Sequence, residues 1–250
     1  PEVEPVSRPA TGRRIDIRRS QIYDGARTFT PASLPGLILW LRGDMGITLA
    51  GAKVSAWADQ SGNGNDFAQG VDADRLIYAA SDANFNGHPS LSGTSIAAGL
   101  ARSNFAQGLG VVTLGAYTRF SANTVPCIVH GDNAQSASIA NNITGLFDAS
   151  RLNGGQNTRR LSGAALNTNY SRIGVIPCST AATVDPTLYT NGVAGGTITS
   201  STATNANIPA NTWRVGFRLE GKIAEVFAYN RALTAAEALQ LHTYMLARYG

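Results

Sequence analysis

Lysine is nearly absent from this chain: Lys53 and Lys222 are the only two in 250 residues. Glutamate is scarce too, with five: Glu2, Glu4, Glu220, Glu225 and Glu237. Charged residues together reach 14%, against the usual quarter. Two cysteines, Cys127 and Cys178, exclude a disulfide framework. Each follows a proline in an apolar context, so buried free thiols on strands are preferred to a single bridge. No apolar run reaches the length of a membrane span. Pro1-Glu2-Val3-Glu4 is not a basic segment leading into an apolar run, so no signal peptide is expected. The spacings G-x-S-x-G, H-E-x-x-H, G-x-x-x-x-G-K-[ST] and G-x-G-x-x-G do not occur. The three histidines, His88, His130 and His242, are scattered and do not form a ligand cluster.

What is present is polar but weakly charged. Glycine reaches 27 residues, with Ser, Thr, Asn and Ala filling the place of charge. At 43% apolar the chain is too hydrophobic to be disordered, and its length suits one all-β sandwich. The net charge of +4 is carried by arginine and unevenly spread. Arg8, Arg13, Arg14, Arg18 and Arg19 face one acid, Asp16. Residues 1–33 therefore read as an extended arm, with Pro1, Pro5, Pro9 and Pro31 and a few apolar side chains, Ile15, Ile17, Ile22 and Tyr23. Arginine suits fixed, bidentate contacts. The five arginines and Tyr23 are the candidate partner-anchoring residues.

From Leu34 onward the pattern is of short strands. Apolar or alternating runs stand at 37–41, 54–58, 75–78, 89–91, 110–120, 126–130 and 139–148. Others follow at 159–161, 170–177, 187–191, 197–199, 212–217 and 221–229. Turn pairs punctuate them: Asn86-Gly87, Gly131-Asp132, Gly154-Gly155 and Asn191-Gly192. The spacing predicts one helix over 234–249, with Thr234 and Glu237 as a capping box. Ala235, Leu239, His242, Leu246 and Tyr249 are its expected core-facing residues. Trp40, Trp57, Trp213 and Phe227 are expected in the core, and Tyr170 and Tyr189 are candidates for exposure. Glu225, inside an apolar strand, must face solvent, an arginine or a paired site. Arg231 is placed to bond carbonyls where the last strand meets the helix.

Five motifs recur in order: LWLRGD at 39–44, VSAWADQSGNGND at 54–66, NGHPSL at 86–91, LYTNGV at 188–193 and GKIAEVFAYNRALT at 221–234. In these the chain resembles laminin-G-like (concanavalin-A-like) jelly-roll domains of bacterial and phage proteins. The resemblance spans residues 34–250. It implies a two-sheet antiparallel sandwich with an N-terminal arm and one C-terminal helix. It does not imply an activity. Glycoside hydrolases of this fold carry E-x-D-x-x-E, two carboxylates for acid and nucleophile roles; Glu220 and Glu225 do not match it. Some domains of this kind hold calcium, which makes Asp59, Asn63 and Asp66 a candidate oxygen-ligand set. A self-bonded Asx loop is the favoured alternative there.

These readings predict a non-enzymatic structural protein without a required cofactor. The expected role is a bacteriophage virion component, in head decoration, collar or fibre, anchored by the arm. The expected partners are other virion proteins such as capsid or neck subunits, and further copies of the chain. The alternative is a carbohydrate-binding module or receptor-binding, lectin-like domain, virion-borne or extracellular, with a glycan as ligand. A glycosidase-like enzyme is the third reading. Membrane insertion and nucleic-acid binding are not expected.

Overall fold

The computed structural model describes residues 28–94, 99–122, 127–131, 136–141, 147–152, 156–161, 165–178, 185–201 and 207–250. Strand residues 127–131, 136, 141, 147–152, 156–161 and 198–201 are described by their backbone alone. The chain is nearly all β. Its strands are β1 Leu37–Arg42, β2 Ile47–Ala50, β3 Lys53–Trp57, β4 Phe67–Ala68, β5 Ile77–Ala79 and β6 Ser90–Thr94. Next come β7 Leu100–Ser103, β8 Val111–Phe120, β9 Cys127–Gly131, β10 Ser136–Asn141, β11 Phe147–Leu152 and β12 Gln156–Leu161. The last six are β13 Asn169–Pro177, β14 Thr187–Thr190, β15 Val193–Gly195, β16 Thr197–Ser201, β17 Thr212–Phe217 and β18 Glu220–Tyr229. One α-helix follows, α1 Ala235–Tyr249.

The pairings, all antiparallel, trace two faces of a sandwich. One sheet runs β15-β14-β13-β8-β18, and β1 and β6 share the far edge of β18. The other runs β4-β7-β17-β9-β10-β11-β12-β16. Strands β3 and β5, with β2 on β3, join the two faces at one side through β3–β4 and β5–β6 into one continuous ladder. Between the sheets lies the larger apolar cluster, with Leu39, Leu41, Trp57, Phe67, Leu114, Trp213 and Val226. A second cluster lies on the outer face of the first sheet, beneath α1, and includes Trp40, Tyr117, Ile173, Phe227, Tyr229, Leu241 and Met245. The molecule is therefore three layers deep: sheet, sheet, helix.

Strand β18 is buried on both faces and supplies residues to both clusters. Ile223 points between the sheets and Ala224 toward α1. Its register with β8 then shifts between Ile223 and Glu225. That bulge puts Ala224 and Glu225 on the same, helix-facing side and restores alternation from Val226. Opposite Phe227 stands Gly115, where a Cβ would lie 2.1 Å from the Phe227 ring. The missing side chain is what admits the ring.

The helix begins as expected. Thr234 Oγ1 accepts from Glu237 N–H at 3.3 Å, and Glu237 Oε2 accepts from Thr234 N–H at 2.9 Å. Its buried face matches the expected one only at Tyr249. Ala238, Leu241, Met245 and Tyr249 face the sheet, while Leu239 and Leu246 are each 51% exposed. Both residue sets recur at helical spacing; the set that wins is the one that brings the Tyr244 and Tyr249 hydroxyls to Glu225. Tyr189 is buried, contrary to expectation, because Leu188-Tyr189 lies inside a sheet covered by α1. The run at 139–148 falls in two paired strands, β10 and β11. Strands β2, β4, β7 and β15 carry no clear apolar alternation and are not legible as strands. Asn191 and Gly192 both have positive φ, +50° and +76°, as the hairpin joining β14 to β15 requires.

Candidate functional site

The first sheet ends in a polar cleft of about 200 Å3. Gly221, the second residue of β18, has φ +147°, and a Cβ there would lie 2.4 Å from the Arg119 carbonyl oxygen. Only glycine lets β18 approach β8 so closely. Lys222 is thereby set directly opposite Arg119 on one side and Ser92 on the other. Ser92, Gly93 and Thr94 form one wall. Ser121, just beyond β8, donates its N–H to the Glu220 carbonyl at 3.1 Å and lines the opposite wall. Asn167, in a left-handed conformation at φ +57°, donates its N–H to Phe120 O at 2.7 Å and completes the lining.

The two cations differ in their partners. Lys222 Nζ donates to Asp82 Oδ2 at 2.7 Å. Asp82 also accepts from Ser90 Oγ at 2.6 Å, and from the backbone and side-chain N–H groups of Asn84. Burial works to raise the Asp82 pKa; Lys222, then Ser90 and Asn84, outweigh it and hold the carboxyl well below the usual range. Arg119 meets no carboxylate among the described residues. Its one polar contact is a long one, Nη1 donating to Asn169 Oδ1 at 3.5 Å.

The other chemically marked group is Glu225, wholly buried beneath α1. It accepts from Tyr249 OH at 2.7 Å, from Tyr244 OH at 3.2 Å and from Trp40 Nε1. Burial pushes its pKa up, against the hydrogen bonds from Tyr249 and Trp40. It is closed to solvent, has Arg42 as its direct cross-strand neighbour, whose charge works against the upward shift, and serves as a polar tie between β18, β1 and α1. Arg231 does bond carbonyls, of Pro35 at 2.8 Å and Ala232 at 3.2 Å, and pairs bidentately with Glu237.

The residues singled out as metal candidates lie in the loop from β3 to β4. Asp59 Oδ1 accepts from Trp40 N–H and Ser61 N–H, each at 2.8 Å. Its Oδ2 accepts from Ser61 Oγ at 2.7 Å and Asn65 N–H at 3.0 Å. Asp66 Oδ1 accepts from Asp59 N–H at 2.8 Å, and Asn63 Nδ2 donates to Leu37 O at 3.0 Å. Asp59 and Asn63 tie the loop to β1 and Asp66 braces it from within, as in an Asx-rich loop. Among the described residues no group of three or more His, Cys, Asp or Glu is placed to hold a metal ion. The anchoring candidates Arg8, Arg13, Arg14, Arg18, Arg19 and Tyr23 lie outside the described residues. Cys178 is a buried free thiol, its Sγ 3.3 Å from the Ile176 carbonyl; the Cys127 side chain lies outside the description.

A second concavity, about 830 Å3, runs along the outer face of α1. Leu239, Thr243, Tyr244 and Ala247 form its floor with Phe29 beside them. It is mostly apolar, with His88, Gln240 and Arg248 among its few polar side chains. The polar cleft was missed in the sequence because its residues come from four separate segments. Lys222, one of only two lysines, inside the G-K-I-A-E strand block, was the available signal.

No family model matches the chain, and no curated protein matches its sequence. Solved structures do share its fold. The receptor-binding domain of botulinum neurotoxin D superposes with a TM-score of 0.61 at 9% identity, over 85% of this chain and 54% of that one. Botulinum neurotoxin type C, whose cell entry is described as dependent on two ganglioside molecules, gives 0.55 at 11% identity, over 84% and 51%. Domain 4 of an extracellular arabinanase from Geobacillus stearothermophilus, solved with arabinotriose, gives 0.54 at 14% identity, over 82% and 98%. The chain thus spans about half the length of the toxin structures and nearly all of the arabinanase domain. At these identities the likeness shows the fold alone: a β-sandwich of the jelly-roll kind.

Proposed function

We propose that this sandwich is a non-catalytic carbohydrate-binding domain and that the cleft between β6, β8 and β18 receives the sugar. The observation that carries the reading is the cleft's lining: the hydroxyls of Ser92, Thr94 and Ser121, the Asn167 amide and two cations. Such groups match the donors and acceptors of a sugar ring. The cleft is smaller than the roughly 300–1,000 Å3 of drug-sized sites, a size for one ring rather than a long chain. Among the described residues its lining holds no aromatic side chain, so hydrogen bonds and charge supply the affinity there. Sandwiches of similar fold that bind arabinotriose or gangliosides support the reading. The virion reading draws no such support from the structures named above.

Among the described residues Glu225 is bonded by Trp40, Tyr244 and Tyr249 and by no second carboxylate, whereas glycoside hydrolysis uses a pair. That favours binding over turnover. Glycan-array screening of the full chain, followed by titration calorimetry, tests the proposal. Ser92→Ala and Asn167→Ala are expected to weaken binding several-fold, with unchanged melting temperature for Ser92→Ala. Binding that survives both, or no binding to any glycan at millimolar concentration, overturns it.

A further inference from the structure

We propose that the cleft selects a sugar bearing a carboxylate, held by the Arg119 guanidinium; this deepens, and rests on, the carbohydrate-binding reading. Four other arginines each meet an acid. Arg42 and Arg248 share Asp44, Arg75 meets Asp72 and Arg231 meets Glu237. Arg119 is as sheltered as these, half-buried at the end of β8, yet its one polar partner is the neutral Asn169 amide at the limit of hydrogen-bond length.

Its position makes the lack costly. Lys222 is its direct cross-strand neighbour, and like charges placed opposite one another destabilise a sheet. Asp82 balances Lys222. The cleft wall is left with one uncompensated positive charge, and that charge belongs to the side chain best shaped for a planar carboxylate. Glu220, the nearest acid along β18, is not part of the lining. The surrounding hydroxyls and the Asn167 amide suit the ring that carries the acid, not a bare ion.

The test compares methyl glucuronide with methyl glucoside, which differ only in the carboxylate. Titration uses the full chain, at low and at physiological salt, followed by NMR or calorimetry. The glucuronide is expected to bind at least about tenfold tighter, the range of one charge-assisted bidentate contact, and to weaken as salt rises. Arg119→Ala should erase that difference and Arg119→Lys should keep part of it. Thermal melting confirms that each variant is folded, and the two variants cover for each other if one is not. Equal binding of both sugars, or an Arg119→Ala variant that still prefers the glucuronide, overturns the inference while leaving the carbohydrate reading standing. If neither sugar binds and glycan arrays are blank, both fall. If inorganic phosphate or acetate competes as well as the glucuronide, the cleft is a general anion site and the sugar-acid inference fails.

Discussion

Glu225 shows how much one residue can decide. It is a wholly buried carboxyl whose donors come from β1 and α1. Its folded-state pKa is raised above the ordinary 4.5, so the folded protein holds that proton to higher pH than the unfolded chain. The stability associated with it is fully present below pH 4.5 and is lost as pH rises through the folded pKa. Glu225→Gln is always neutral and lacks this dependence. Urea denaturation at pH 4 and pH 8 should therefore show wild type losing stability relative to Glu225→Gln as pH rises. Parallel behaviour would remove the assignment. Glu225→Ala orphans the Trp40 and Tyr249 donors and should cost roughly 3 kcal/mol or more. Asp59 acts by a related logic in the open: Asp59→Ala should cost roughly 1–3 kcal/mol by releasing its backbone donors. Chelation by EDTA should leave the wild-type melting temperature unchanged; a fall would make the loop a calcium site.

At the scale of elements, the bulge in β18 is the device that makes Glu225 tolerable. With strict alternation after Ile223, Glu225 would point between the sheets, among Val226's neighbours. Deleting Ala224 removes the extra residue yet keeps Ile223 inward and Glu225 beneath α1, so the deletion should still fold, as judged by near-ultraviolet dichroism. With the bulge in place, inserting a second residue beside Ala224 should turn Glu225 between the sheets and prevent folding; a folded insertion would show that the bulge does not set the register. The helix N-terminus gives a milder case. Burial is outweighed by Arg231 and the Thr234 backbone, with Arg231 the largest influence, and Glu237 is lowered to about 2. Its contribution is present above 4.5 and lost as pH falls toward about 2. Thr234→Ala should cost about 1 kcal/mol. The capping box was legible because Thr234 and Glu237 are local. The buried face of α1 was not, because Leu239 and Leu246 sit one above the other on a helix just as Leu241 and Met245 do. Only contacts with distant β18 choose between the two faces. Likewise β8 and β13 read as strands from their apolar runs, whereas Phe67-Ala68 in β4 is a strand only because Trp57 and Ala101 pair beside it.

At the scale of the whole molecule, the third layer needs an edge seal, and the segment just before β1 supplies it. Pro31 is buried and its carbonyl accepts the Tyr229 hydroxyl at 2.8 Å. Phe29 packs edge-to-face on Tyr244, ring centroids 6.3 Å apart, and Tyr244 in turn donates to Glu225. A chain starting at Thr28 should therefore keep the native pH dependence. One starting at Leu34 loses the acceptor for Tyr229 and the ring over Tyr244, at a cost of roughly 2–4 kcal/mol from the orphaned hydroxyl and lost ring contact. Water then reaches Tyr244 and eases ionisation of Glu225, so the gap between wild-type and Glu225→Gln backgrounds at pH 8 should narrow in the shorter chain. Urea midpoints of the two lengths, each with and without Glu225→Gln, measure this coupling. Additive effects across that cycle would mean that Phe29 and Pro31 stabilise the layer without sheltering the carboxyl.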